Sequence, residues 1–560
     1  MATRGTQSTS PANAPLEVPV LIAGAGPVGL ALAADLGSRG IACMLVETRT
    51  EVTAHPRATL LGARSMELYR RLGLAERILR AGLPLDFNYD VIFAARLSGK
   101  KLYHYSSPSA QRYLDHAARL AHEIPDAAWT PYFKTQIGQQ ALEPVVRDYV
   151  LGFKHVDLRY GWELESTTQD ENAVTSVVRN LENGERQTVC SAYLAGCDGG
   201  KSTVRAALSI AYTGRGAMRR NVSYLFRSKE FLKYATVGRG NLYFMFTPGQ
   251  YGVFTMIDGH DLWNYQHYVL GPESEDARID PIAEIKSAMG CDFPFEVLQV
   301  MHWNHHQSVA ERFRVGRVFL AGDSAHLFCP TGGVGMNTGI SDAFDLGWKF
   351  EAMLAGWGGP RLLESYELER WPVAFRNTLS AAANADRVDS LMTMTPPEVE
   401  QDSPRGAAIP KDLAQQLKWL SKQFNTLGLH LGYRYDDSPI VIADGSPEPP
   451  DDPRVVVQST WPGSRAPHAW LERGKSTLDL YDGKHYTLVR LGDDAPSAEP
   501  MAEAFAARGV PFNTAQIMQP EICRLYERKL VLVRPDGHVC WRGTALPANP
   551  LEIVDRVRGA

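Results

Sequence analysis

The feature that most constrains this chain is a glycine pattern near its start. Val18-Pro-Val-Leu-Ile-Ala23 is a short apolar, β-branched run that ends in Gly24-Ala-Gly26-Pro-Val28-Gly29, after which Leu30 to Arg39 reads as a helix closed by Gly40. Strand, glycine turn and helix in that order form a dinucleotide-binding fingerprint. Gly24 permits the tight turn, Gly26 lets the backbone approach a pyrophosphate, and Gly29 lets helix and strand pack closely, while the helix N-terminus faces the phosphates. A second apolar run, Ala42 to Val46, ends at Glu47, 18 residues past Gly29, where such a fold places an acid that accepts ribose hydroxyls. Glu47 disfavours a 2′-phosphate, but the pattern alone does not choose between FAD and NAD(P).

Further along, Arg317-Val-Phe-Leu-Ala321 repeats the buried-strand pattern and runs into Gly322-Asp323-Ser-Ala-His326, then Pro330-Thr-Gly332-Gly333-Val-Gly335-Met336-Asn337. From Met336 onward Ile340, Ala343, Phe344, Leu346, Phe350 and Leu354 recur at helical spacing, with Asp342 and Asp345 early and Lys349 late, as a helix dipole prefers. An acid at a strand end can accept ribityl or ribose hydroxyls, and free amides at a helix start can stabilise negative charge on a reduced flavin. The alternative is a structural corner with Asp323 as its cap.

These stretches, with CDGGKSTVR at 197–205, carry a resemblance: the chain resembles the FAD-dependent aromatic hydroxylases, the p-hydroxybenzoate hydroxylase-like group A flavoprotein monooxygenases. Residues 461–471 (WPGSRAPHAWL) and 532–543 (LVRPDGHVCWRG) look like the C-terminal thioredoxin-like domain of the long phenol and polyketide hydroxylases. The resemblance implies that Gly24, Gly26, Val28 and Gly29 hold the pyrophosphate, Glu47 the ADP ribose and Asp323 the ribityl chain. It implies that Pro330, Gly335, Met336 and Asn337 line the isoalloxazine. Gln139 matches a family glutamine near FAD, with Gln136 and Gln140 as neighbouring alternatives, and Arg57 matches an arginine near the flavin. Asp198 resembles the acid tied to both FAD and NAD(P)H; a structural role at the start of the following helix is the alternative.

The expected fold class is α/β: a Rossmann-like FAD-binding domain with an inserted antiparallel β-sheet substrate domain and a C-terminal thioredoxin-like domain. A tail over 1–17 precedes a discontinuous FAD domain at 18–90, 136–215 and 308–390. The substrate domain takes 91–135 and 216–307, where Asn241 to Phe246, Tyr251 to Ile257 and Leu262 to Tyr268 read as strands. A helical connector covers 391–443, a proline-rich linker 444–453, and the C-terminal unit 454–560, with strands expected at Ser476 to Leu480, Tyr486 to Leu491, Leu530 to Arg534 and His538 to Arg542.

Composition narrows the partners. The 58 basic and 63 acidic residues leave a net charge of −5, which gives no footprint for nucleic acid or an anionic membrane. Val18 to Gly37 is broken by glycines, a proline and Asp35, so no transmembrane segment is expected. Seven cysteines without a CxxC exclude a zinc ribbon or dithiol exchange and fit the cytoplasm; no metal site is expected. The C-terminal unit is expected to serve packing and homodimer contacts.

The family chemistry implies NADPH or NADH as a transient reductant, O2 as co-substrate, and hydroxylation of a phenolic ring through a flavin C4a-hydroperoxide. Candidates for deprotonating the phenol are His302, His305, His306, Tyr243 and Tyr265, while Thr59 stands where phenol hydroxylase would carry an aspartate. No arginine clamp for a carboxylate is read in the strands at 241–268, which favours a phenol over a benzoate. A Baeyer–Villiger oxygenase, or a flavin-binding protein without turnover, is the alternative; a halogenase is disfavoured by the missing WxWxIP motif.

Overall fold

The computed structural model describes residues 15–118, 128–132, 134–270 and 280–560. Most of the expected N-terminal tail lies outside them, but Leu16 and Glu17 already belong to the first strand, Leu16–Ala23, so ordered structure begins earlier than the sequence suggested.

That strand is central in the first sheet. It pairs in parallel with Arg186–Gly196 on one side and Cys43–Glu47 on the other, and Val156–Tyr160 and Val318–Leu320 extend the parallel set outward. Cys43–Glu47 is buried throughout, which explains its unbroken apolar run: a parallel strand covered on both faces has no polar side to show. Helix α1 (Pro27–Ser38) covers the sheet beside a second helix far away in sequence. Three further helices matter for the site: α2 (Ala63–Arg71), α3 (Gly335–Leu354) and α4 (Pro360–Met394). Chain separated by some 300 positions thus meets on one sheet.

The second sheet runs in the order His326–Leu327, Glu296–Ala310, Tyr212–Arg227, Leu262–Tyr268, Gly252–Met256, Leu242–Met245, Val91–Ala94 and Lys101–Tyr105. Its pairings are antiparallel except for Leu242–Met245 beside Val91–Ala94. Period-two alternation gives it two apolar faces. One presents Tyr224, Phe226, Tyr243, Phe254, Trp263 and Tyr265 to Phe231 and Ile285. The other presents Phe93, Phe244, Phe246 and Tyr268 to Val388 and Leu391 of α4 and to the Pro404–Leu420 helix.

The C-terminal sheet orders Phe512–Ile517, Tyr486–Leu491, Leu530–Val533 and Val539–Gly543. Two expectations are corrected there. Thr477–Leu480 is a short 3-10 turn capped by the Ser476 hydroxyl, not a strand. Phe512–Ile517 is a strand the sequence reading missed, because this edge strand exposes Asn513, Thr514 and Gln516 and shows little apolar alternation.

Candidate active site

Within the first turn the glycines divide into two kinds. A Cβ on Gly24, whose φ is +96°, would stand 2.4 Å from the Cys197 carbonyl oxygen, and one on Gly29 would stand 1.9 Å from the Gly24 oxygen. Both are glycine because the protein itself leaves no room. A Cβ on Gly26 would meet nothing within 4 Å, and its φ of −73° suits any residue. Its lack of a side chain leaves an open cradle at the amide end of α1, where no side chain caps the helix. That cradle fits the pyrophosphate of a dinucleotide.

Glu47 is set at the edge of the cradle. Its Oε2 accepts from the Ala25 amide at 2.8 Å and its Oε1 from the Arg49 amide at 2.9 Å. Burial opposes its charge, but the hydrogen bonds and charge of Arg49 and the Ala25 amide outweigh it, and the carboxylate is held below its ordinary value. Gln139 donates to Glu143 Oε1 at 2.7 Å, and Glu143 Oε2 accepts from the Thr53 amide at 3.0 Å. With the Gln139 amide on the Ala58 carbonyl, this ties down the loop that carries Arg57. Gln136 and Gln140 instead keep buried amide oxygens with no partner in the protein.

Arg57 is exposed, and its charge reaches both His55 and Asp323. Asp323 follows the Val318–Leu320 strand and is exposed to solvent, with protein crowded around it. That crowding raises its carboxyl above the ordinary value, against the pull of His326, Arg57 and His306. Val28 links this second motif to the first: a Cβ on Gly322 would meet its methyl at 2.8 Å, and one on Gly339 would meet it at 2.6 Å. Asp198 accepts from the Val204 amide at 3.1 Å through Oδ2, while Oδ1 is buried without a partner, and burial raises its carboxyl. One oxygen therefore holds the start of the Thr203–Ala207 helix, while the other is buried with no hydrogen-bond partner among the described residues.

The Pro330–Gly335 loop leads into α3, whose first-turn amides have no partner in the helix. Pro330 is exposed, and Gly335 and Met336 are half-buried. The Asn337 side chain is fully spent: Oδ1 accepts from the Gly62 amide and Ser65 Oγ, each at 2.7 Å, and Nδ2 donates to the Leu60 and Gly333 carbonyls at 3.0 and 2.7 Å. It shapes the loop and offers a ligand no free side-chain group.

Several contributors went unrecognised in the sequence. Tyr212 donates to the Asp323 carbonyl at 2.6 Å, and Arg205 lies 3.9 Å over its ring. His326 shares a 2.7 Å hydrogen bond with Asp342, which Arg370 also pairs at 2.7 Å, all fully buried. Only pairing across the fold reveals that Asp342 serves a buried triad and not the helix dipole alone.

The expected bases need correction. Tyr243 is wholly buried, donating to the Gly238 carbonyl and accepting from the Gly240 amide, and Tyr265 stacks on Phe254 at 4.3 Å. Both lie on the sheet face turned away from α4, and burial pushes both phenols up, so neither is a base for a bound ring. His302 stands opposite Val222 on that same face, exposed. The Pro330–Gly333 loop instead looks toward α4: Thr331 donates to the Ala381 carbonyl, and Gly332 lies beside Asn384. On the α4 side, His305 is pushed down to about 2 by burial and then by Arg219; His306, between His305 and Gln307 in the strand, turns to the other face, is half-buried and feels the charge of Asp323. An arginine does line this face: Arg219 lies 3.8 Å over Tyr268, but it is paired with Asp389 and is no free clamp.

Among the described residues no cluster could hold a metal ion, and no helix is long and apolar enough to cross a membrane. Comparison with known proteins places the site in context. Residues 17–381 match the FAD binding domain family and residues 459–559 the aromatic-ring hydroxylase C-terminal family. A putative polyketide hydroxylase of Streptomyces halstedii is 33% identical over 96% of this chain and 95% of its own length. The rebeccamycin biosynthetic enzyme RebC with reduced flavin superposes with a TM-score of 0.86 at 37% identity, covering 98% of this chain and all of that one. A ternary complex of aklavinone-11 hydroxylase with FAD and aklavinone gives a TM-score of 0.80 at 28% identity, covering 97% of this chain and 99% of that one. The chain belongs to the FAD-dependent aromatic-ring hydroxylases, monooxygenases that carry this FAD domain together with this C-terminal unit.

Proposed function

We propose that this protein uses FAD, NAD(P)H and O2 to hydroxylate a phenolic aromatic ring. The observation that carries the reading is the junction at Val28, where the open cradle of the first glycine turn abuts the turn bearing Asp323. One extended ligand spans both motifs. FAD supplies the redox chemistry, two electrons accepted from NAD(P)H and passed to O2.

The chain's residues do the rest. Gly26 and the first amides of α1 receive the pyrophosphate, Glu47 the ribose, and Asp323 the sugar chain. The first-turn amides of α3 stabilise negative charge at the edge of the ring system. Phe93, Phe244, Phe246 and Tyr268 supply an apolar wall that excludes water and suits a planar ring. His306, half-buried and within reach of the charge of Asp323, is the candidate to take the phenol proton.

The division into an FAD domain at 18–90, 136–215 and 308–390, a substrate domain and a C-terminal unit from 454 is part of this proposal. Seven unpaired cysteines support a reducing compartment such as the cytoplasm. Exposed Leu368, Phe375 and Leu379, on one side of α4, support a homodimer, which light scattering of the holoprotein checks. A panel of phenols and hydroxybenzoates, scored for NAD(P)H oxidation coupled to product, tests the function. Phenols should stimulate both; stimulation by hydroxybenzoates alone refutes the substrate class.

A further inference from the structure

The amide end of α3 is held by more than the FAD domain. Asn337, in its first turn, is gripped by the Gly62 amide and the Ser65 hydroxyl, and Gly62 and Ser65 form the start of α2. The neighbouring residues of α2 reach into the C-terminal unit. Arg64 donates to the Asp536 carbonyl at 2.6 Å, and Arg71 donates to the Pro535 carbonyl at 2.6 Å. Arg465 forks onto both oxygens of Glu67, at 2.7 and 2.9 Å, with both side chains only 3% exposed.

The same C-terminal turn holds the far end of α3. Arg534 pairs with Asp536 at 2.6 Å and with Glu369 at 3.0 Å, and Lys349 of α3 bridges Glu369 and Asp345 at 2.7 Å each. Four carboxylates, Glu67, Asp345, Glu369 and Asp536, thus face four cations, Arg64, Lys349, Arg465 and Arg534, in the buried seam between the units. Such a lattice is a poor way to gain stability, since desolvating each charge cancels much of the attraction and apolar side chains of similar size often serve better. Its directional bonds do fix one relative placement of α2, α3 and the 534–538 turn.

We propose that the C-terminal unit positions the flavin ring: through Arg465–Glu67 and Arg64 it sets α2, α2 sets Asn337, and Asn337 sets where the first-turn amides of α3 point. Glu67 and Arg465 are positioning residues, and the C-terminal unit tunes the redox poise of a cofactor it does not touch. This rests on the reading that FAD binds at the start of α3.

The test uses the full-length holoenzyme with Glu67 and Arg465 replaced together, Glu67→Met with Arg465→Met, which removes both members of the fork at once and leaves Arg64, which also loses Glu67, its hydrogen bond to the Asp536 carbonyl. Arg465→Lys, which keeps the charge but loses the fork, is the second variant. The readouts are the two-electron midpoint potential and the visible absorption of bound FAD, with the melting temperature alongside. Misaimed amides should weaken the preference for reduced over oxidised flavin about tenfold, a fall of about 30 mV for two electrons, with a displaced absorption band. Variants that bind FAD stoichiometrically with the wild-type potential and spectrum overturn the inference, whatever their melting temperature. Wild-type protein that takes up no FAD would instead overturn the functional reading on which it stands.

Discussion

Replacing Gly26 by alanine separates what the fold needs from what the cofactor needs. The added methyl meets no protein atom within 4 Å, and the backbone there, φ −73° and ψ −173°, suits alanine. The apoprotein should therefore keep its stability to within about 0.5 kcal/mol, or gain slightly as the unfolded chain loses freedom. In the holoprotein the methyl occupies the space assigned to the pyrophosphate. Overpacking of this kind costs about 1–3 kcal/mol, and with 1.4 kcal/mol per factor of ten FAD should bind roughly 5- to 150-fold more weakly. Gly29→Ala is the control: its methyl would lie 1.9 Å from the Gly24 oxygen, so the turn must move, costing the apoprotein about 3 kcal/mol or more. Thermal melting of both apoproteins and fluorescence titration with FAD measure the two quantities. A Gly26→Ala protein that binds FAD like wild type, or that is destabilised as apoprotein like Gly29→Ala, would refute the reasoning.

Asp323→Asn should weaken FAD about tenfold or more, since a hydrogen bond to a charged group contributes about 1.5–3 kcal/mol; the apoprotein should melt unchanged, because the carboxylate has no hydrogen-bond partner among the described residues. His306→Gln should lower kcat by about a hundredfold or more while FAD affinity holds, and rapid-mixing kinetics at several pH values would show whether the proton step is the one lost. His430 packs over Gly62 and is pushed down to about 4 by burial, so it is neutral in the fold. The unfolded chain takes up its proton near pH 6.5, so stability is full above that pH and drains as pH falls from 6.5 through 4, by about 3 kcal/mol from this group. His430→Gln should flatten that part of the denaturant-measured stability profile, and an unchanged profile would contradict the assignment.

The first glycine turn was legible because its logic is local: turn, close approach and helix start lie within six residues, and Glu47 follows on the next strand. The second sheet was legible only in part. Alternation in 241–268 shows that Tyr243 and Tyr265 share a face, but which face looks at the flavin depends on α4, a helix about 100 positions later. Tyr243, Tyr265 and His302 therefore landed on the face turned away from α4, whereas His305 faces it beside Arg219. The Asp342–His326–Arg370 triad and the Glu67–Arg465 seam join residues 16 to 398 positions apart and leave no mark in spacing or composition. Arg219 lies outside the aromatic strands at 241–268, and only the cross-strand register makes His305 its partner.

The central claim is that an oxygen atom from O2 enters an aromatic ring. The most direct measurement is mass spectrometry of the product formed from a responsive phenol under ¹⁸O2 with NAD(P)H. The account predicts one ¹⁸O atom in a new ring hydroxyl, with the label absent when the reaction is run in H2¹⁸O under ¹⁶O2. Label carried in an ester, or NAD(P)H oxidation that yields only hydrogen peroxide with every aromatic compound supplied, would contradict it.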